Sequence, residues 1–158
     1  MRCIFQLYRR LIGETLREKL LKIALENSFV AGIILFGSVA RGEGTKESDM
    51  DLLILWEGLN PDDSYSYVYR NVSRYFPRES VTILDMNYFD FFKVEDVTTL
   101  YINIIWDGVV IYDKHGKLND FLVKVKNELT AKGVERKKVG KYYYWKLPKP
   151  GQKVKLEV

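Results

Sequence analysis

The chain has 158 residues, 47% of them hydrophobic and 29% charged, with a net charge of +4. These values are typical of a single globular domain with its own core. The chain contains no apolar run of the ~20 residues that span a bilayer, and residues 1–10 lack signal-peptide features. The single cysteine, Cys3, excludes internal disulfides and cysteine-built zinc sites. We therefore expect a cytoplasmic protein without membrane contact.

The first third of the chain predicts a helix followed by two buried strands. Apolar residues at helical spacing predict an amphipathic helix over residues 14–27. Val30–Phe36 reads as an apolar strand, and residues 49–56 read as a second strand that is apolar on both faces from Leu52 to Trp56, as central strands are. A polar, glycine-rich stretch, residues 41–48, separates the two strands.

The middle of the chain continues the alternation of helix and strand. Asn60 and Pro61 are a capping residue and a first-turn proline, and they predict the start of a helix. Its expected apolar face consists of Tyr65, Val68, Tyr69, Val72 and Phe76. Residues 80–86 predict a third strand, and Asp96 predicts the cap of a helix that runs to Ile105.

The last third predicts a short strand over residues 109–112 and a helix over residues 118–129 that ends before Gly133. The aromatic residues 141–146 read as a further strand. Because helices and strands alternate, we expect an α/β or α+β fold with a small mixed sheet flanked by helices.

The C-terminal region differs in charge from the rest of the chain. Residues 132–155 contain nine basic residues and one acid, Glu135. We therefore predict a main domain over residues 1–132 and a basic aromatic tail over residues 133–158 that packs on it. Such a tail could meet nucleic acid, but a solvated or packed surface is the reading we favour.

A short motif links the first two strands. Gly37 and Ser38 follow the first strand, and Asp49 and Asp51 begin the second. Side chains two residues apart on a strand share a face, so the two carboxylates lie side by side. Paired carboxylates in this arrangement can hold divalent cations that are bridged by a triphosphate. The alternative is a turn aspartate followed by an exposed strand start.

Three residues near the turn could contact phosphate. Gly37 lets backbone approach an anion, Ser38 offers a hydroxyl, and Arg41 could bind phosphate as a bidentate fork. The alternatives are an ordinary turn with Ser38 as the helix N-cap, and Arg41 paired with Glu43 or Glu47.

The segments Gly37-Ser38-Val39-Ala40-Arg41-Gly42 and Ser48-Asp49-Met50-Asp51-Leu52 resemble the signature of the nucleotidyltransferase superfamily that includes DNA polymerase beta. The short chain is similar to the minimal nucleotidyltransferases that pair with HEPN proteins in toxin–antitoxin modules. The resemblance implies that Asp49 and Asp51 are catalytic Mg²⁺ ligands and that Gly37, Ser38 and Arg41 bind ATP. It also implies a third acidic residue on a neighbouring strand.

Asp85 is the candidate for that third carboxylate. It ends an apolar strand, on the same face as Val81 and Ile83. In this role Asp85 would complete the metal site and accept the proton of the acceptor hydroxyl. The alternative is an aspartate that only terminates the strand.

The resemblance implies transfer of a nucleoside monophosphate, AMP from ATP, to an acceptor hydroxyl. The acceptor would be a tyrosine of a HEPN toxin, so the partner is a HEPN-type protein or a second copy of the chain. Two alternatives stay open: a transferase for a small molecule or RNA, and a non-catalytic antitoxin that neutralises its toxin by binding.

Overall fold

A computed structural model of the chain describes residues 14–149, 151 and 153–157, so Cys3 and residues 1–10 lie outside the described part. The elements in chain order are α1 (Glu14–Glu26), β1 (Val30–Phe36), α2 (Gly37–Ala40), β2 (Met50–Trp56), α3 (Ser64–Ser73), β3 (Val81–Asn87), α4 (Thr99–Asp107), β4 (Val109–Asp113), α5 (Leu118–Ala131), β5 (Glu135–Val139) and β6 (Tyr142–Lys146). A 3₁₀ turn over Asp90–Lys93 precedes α4, and the sequence pattern did not predict it.

Four strands form a mixed sheet in the order β3-β2-β1-β4. Strand β1 is antiparallel to both β2 and β4, whereas β2 and β3 are parallel. Helices cover both faces, so the predicted small mixed sheet flanked by helices is confirmed.

The central strand β2 is buried on both faces. Leu52 and Ile54 pack into one hydrophobic cluster with residues of α1 and α3. Leu53 and Leu55 point the other way, into a second cluster with residues of α4 and α5. This double burial explains why the strand is almost continuously apolar after its first residues.

Helix α3 begins later than the sequence predicted. Asn60 caps a turn instead, since its Oδ1 accepts a hydrogen bond from the backbone N–H of Asp62 at 3.1 Å. The expected apolar face was partly wrong, because Tyr65 and Tyr69 are 57% and 46% exposed. Val68 is buried, as expected.

Thr98, and not Asp96, caps helix α4. The Thr98 Oγ1 accepts from the backbone N–H of Tyr101 at 3.2 Å. Asp96 instead receives a hydrogen bond from the Lys153 ammonium at 3.2 Å and forms a backbone bridge with Lys155. The C-terminal residues therefore lie against the segment that leads into α4.

The C-terminal region contains a hairpin of two strands, β5 and β6, of which the sequence pattern predicted only β6. Strand β5 was missed because its residues are mostly charged. Trp145 faces the body of the domain and packs edge-to-face on Trp106, with ring centroids 4.9 Å apart. Tyr142 and Tyr144 point to solvent. Among the described residues, no helix is long and apolar enough to cross a membrane.

Candidate active site

The candidate site lies where three strands meet. Because β1 and β2 are antiparallel, Phe36 at the end of β1 pairs with Asp51 at the beginning of β2. Because β2 and β3 are parallel, the beginning of β3 lies at the same edge, and Thr82 pairs with Asp51. The turn after β1 and the two aspartates are thus brought together by strand pairing.

Gly37 is required where the turn meets Asp51. Its φ is +76°, a conformation that side chains with a Cβ rarely adopt. A Cβ at this position would also collide with the Oδ2 of Asp51. The Asp51 carboxylate therefore lies directly against the backbone of the turn, and glycine is the residue that allows this contact.

The two aspartates receive hydrogen bonds from hydroxyls at the start of β3. The Ser80 hydroxyl donates to Oδ1 of Asp49, and the Thr82 hydroxyl is hydrogen-bonded to Asp51. Burial, with a further contribution from the nearby charge of Asp49, raises the pKa of Asp51 above its ordinary value, although the Thr82 hydroxyl and Arg41 act in the opposite direction. The pair is thus a site of concentrated negative charge.

Ser38 is the second residue of the short helix α2. The alternative role as N-cap does not apply, because Phe36 holds that position and no side chain caps the helix. Ser38 is partly exposed, next to the glycine that contacts Asp51.

Arg41 is engaged in ion pairs. Its Nε donates to Glu43 at 3.0 Å, and one of its terminal nitrogens donates to Asp107 at 2.8 Å. The Arg41 side chain is 21% exposed, whereas that of Asp107 is only 3% exposed. The structure therefore favours the alternative in which Arg41 pairs with Glu43, and it adds a buried partner from the end of α4.

The hairpin contributes to the same network. Arg136 donates to the other oxygen of Asp107 at 2.5 Å. The Tyr143 hydroxyl donates to Glu43 at 2.6 Å, and its ring lies 4.9 Å from the guanidinium carbon of Arg41 and 4.6 Å from that of Arg136. The loop that follows α2 is thus tied to α4 and to β5–β6.

Asp85 does not lie at this site, so the prediction that it completes the carboxylate cluster needs correction. Asp85 pairs with Ile54, three positions beyond the pairing of Thr82 with Asp51, or roughly 10 Å along the strand. An odd number of positions also places it on the opposite face of the sheet. Its Oδ2 accepts from the Trp56 indole and the Ser64 hydroxyl, both at 2.8 Å.

Further residues that contact the site were not predicted from the sequence. Ser80 and Thr82 have the same spacing of two as the aspartates, which is a signal once β3 is known to be parallel to β2. Asp107 and Arg136 carry no local signal, because Asp107 lies 66 residues from its partner Arg41 and Arg136 lies 29 residues from its partner Asp107.

Comparison with known proteins agrees with this geometry. Residues 18–117 match the family model described as polymerase beta, nucleotidyltransferase. No curated protein matches the sequence significantly.

Three solved structures illustrate the likeness. A toxin–antitoxin structure with AMP-PNP has a TM-score of 0.50 at 17% identity, covering 73% of this chain and 87% of that one. A mutant MntA–HpeT toxin–antitoxin complex has a TM-score of 0.50 at 15% identity, with the same coverage. A complex of tri-AMPylated HEPN toxin and MNT antitoxin from Shewanella oneidensis has a TM-score of 0.44 at 16% identity, covering 73% and 84%.

The family match spans more than half of the chain and includes the turn, both aspartates and the strand that faces them. This region contains the mixed sheet, the turn and the paired carboxylates described above. The chain therefore belongs to the polymerase beta nucleotidyltransferase family.

Proposed function

We propose that this chain is a Mg²⁺-dependent nucleotidyltransferase that transfers AMP from ATP to a hydroxyl of a partner protein. The observation that carries the proposal is the pair Asp49 and Asp51 beside the Gly37 turn, at the edge where β1 ends and β2 and β3 begin. Family membership supports the reaction class, since the matched region contains all of these residues.

The two aspartates fit a divalent cation. A carboxylate has about four lone-pair positions, and the hydrogen bonds from Ser80 and Thr82 leave oxygens free on both groups. Hard cations prefer such oxygens. Burial of Asp51 next to the charge of Asp49 makes the cation-free pair unfavourable, so a cation relieves this cost. When bound, Mg²⁺ would neutralise triphosphate charge.

The chemistry is an in-line displacement at the α-phosphorus. The acceptor hydroxyl oxygen forms a bond to this phosphorus and releases its proton to water, and the bond to the bridging oxygen breaks, so that pyrophosphate leaves with the electron pair. In the proposal, Asp49 and Asp51 hold the cation, the glycine backbone admits the phosphates, and the Ser38 hydroxyl donates a hydrogen bond to them. Arg41 stays in its ion pairs and shapes the loop.

A HEPN-type protein is the proposed acceptor, with a tyrosine as the modified residue. The fold is similar to that of a chain from a toxin–antitoxin structure with AMP-PNP and of a chain from a mutant MntA–HpeT complex. Beyond the sheet and its helices, the described residues add only a hairpin and a short tail, which supports an acceptor supplied by another molecule.

Calorimetry and labelled transfer test this function. We expect ATP to bind with Mg²⁺ and not with EDTA, and we expect radiolabelled adenylate to enter a HEPN-type protein captured from native extract and identified by intact mass. The double variant Asp49→Asn with Asp51→Asn is the matched control, since it keeps the shape of both side chains and removes their charge. Metal-dependent binding that persists in this variant would contradict the site.

A binding-only antitoxin is the second candidate, and one observation favours it. The described residues place two carboxylates at the site and Asp85 elsewhere. If the double variant still neutralises the toxin in cells, binding alone accounts for the antitoxin effect. If neutralisation is lost while the complex still forms, adenylate transfer is required.

A further inference from the structure

Hydroxyls at the start of β3 and directly before it face the carboxylates at the start of β2 and directly before it. Ser80 donates to Asp49, and Thr82 is hydrogen-bonded to Asp51, with which it pairs in the sheet. The two strands are parallel and neighbours, so paired residues lie about 4.8 Å apart and their side chains share a face. The side chain at position 82 is therefore placed to share any ion that Asp51 holds.

Thr82 brings no charge to that position. It is exposed on an edge strand, and the one acid within β3 is Asp85, which lies on the other face. Glu79, just before the strand, is paired with Lys19. Across the described ranges, no group of three carboxylate, imidazole or thiol side chains could hold a metal ion. Within the described part of the chain, two carboxylates face this site: Asp51 in β2 and Asp49 directly before the strand.

The two carboxylates and a bound triphosphate offer anionic ligands to a first cation, whereas a second cation would have no protein carboxylate of its own among the described residues. The two cations of a two-metal site lie about 3.5–4 Å apart and repel each other. Carboxylates that bridge both cations, or that bind one of them, must offset this repulsion. Mg²⁺ gives up water reluctantly, and neutral hydroxyls such as those of Ser80 and Thr82 compete poorly with water. A second cation would have to share the carboxylates that the first already uses.

We propose that this site holds a single divalent cation with its nucleotide, and that Thr82 is the residue that sets this number. Replacement of Thr82 by a carboxylate gives the second cation a ligand of its own. The inference rests on the proposed nucleotide site and specifies its metal content.

Counting bound Mn²⁺ tests the inference without any measurement of activity. Mn²⁺ is titrated into the full chain with saturating AMP-PNP, free Mn²⁺ is read by electron paramagnetic resonance, and titration of AMP-PNP without protein is subtracted. We compare the wild type with Thr82→Asp and with Thr82→Asn, the uncharged variant of the same shape. Because Thr82 is exposed, all three chains should fold, and tryptophan fluorescence melts check this.

We expect one tightly bound Mn²⁺ in the wild type and in Thr82→Asn, and two in Thr82→Asp, with the second binding at least about tenfold more tightly than any second ion in the wild type. Two tight ions in the wild type would overturn the inference and leave the proposed function standing. Equal stoichiometry in Thr82→Asp and Thr82→Asn would also overturn it. Absence of Mn²⁺–nucleotide binding by the wild type would overturn both.

Discussion

The substitution Asp107→Asn tests whether the hairpin and the loop after α2 are fastened by one buried carboxylate. Asp107 is the last residue of α4, where a negative charge interacts unfavourably with the helix dipole. Its two oxygens accept from Arg41 at 2.8 Å and from Arg136 at 2.5 Å. The Tyr143 ring lies beside both guanidinium groups.

The expected loss of stability follows from this geometry. Asparagine keeps the shape of the side chain but leaves two guanidinium groups without the charge that they share. Removing one partner of a buried ion pair costs about 3–5 kcal/mol. Since Arg41 and Arg136 are each 21% exposed and can recover some hydration, we expect a value near the lower end, about 3 kcal/mol. For a chain of this size, the melting temperature should fall by roughly 6–12 °C.

Urea unfolding followed by tryptophan fluorescence measures this loss, and the contact of Trp106 with Trp145 reports on hairpin docking. The control is Glu43→Gln, which removes the exposed partner of Arg41 and should cost much less, because exposed ion pairs contribute little. If Asp107→Asn lowers the free energy of unfolding no more than Glu43→Gln does, the carboxylate does not fasten these elements.

Three further outcomes are expected. Asp51→Asn should abolish Mg²⁺-dependent ATP binding in calorimetry yet stabilise the apo protein at pH 7. Because burial raises the pKa of Asp51, ionisation of this carboxyl destabilises the folded state. The stability advantage of Asp51→Asn should therefore grow as the pH rises above the ordinary carboxyl range, as measured by urea titrations from pH 4 to 7. A difference in unfolding free energy that stays constant over this range would refute this. Gly37→Ala should lose ATP binding and at least about 1 kcal/mol of stability, because of the positive φ and the clash with Asp51; unchanged binding would contradict the close approach. Asp85→Asn should leave Mg²⁺-dependent ATP binding intact and cost about 1 kcal/mol or less, since an amide oxygen can still accept from Trp56 and Ser64; loss of metal-dependent binding would return Asp85 to the site.

Local features of the sequence were enough to predict the strand–turn–strand segment that carries the candidate site. The apolar runs Val30–Phe36 and Met50–Trp56 identify two buried strands, and Gly37 marks the tight turn between them. Asp49 and Asp51 stand out because stability gives no reason to place two charges at the start of a buried strand. These inferences depend on near neighbours in the chain, and the side-chain alternation of a strand is a local rule.

The tertiary structure alone decided which other residues join the two aspartates. Because β2 and β3 are parallel, the beginning of β3 lies at the site and its end lies at the opposite edge of the sheet. The register places Thr82, and not Asp85, beside Asp51. A shift of one residue in register would exchange the faces, and no local pattern in β3 specifies that register. The buried carboxylate that holds Arg41 is equally long-range, since Asp107 reaches it only after the sheet and α4 have packed together. Partners so distant along the chain are chosen by packing and burial of the whole domain.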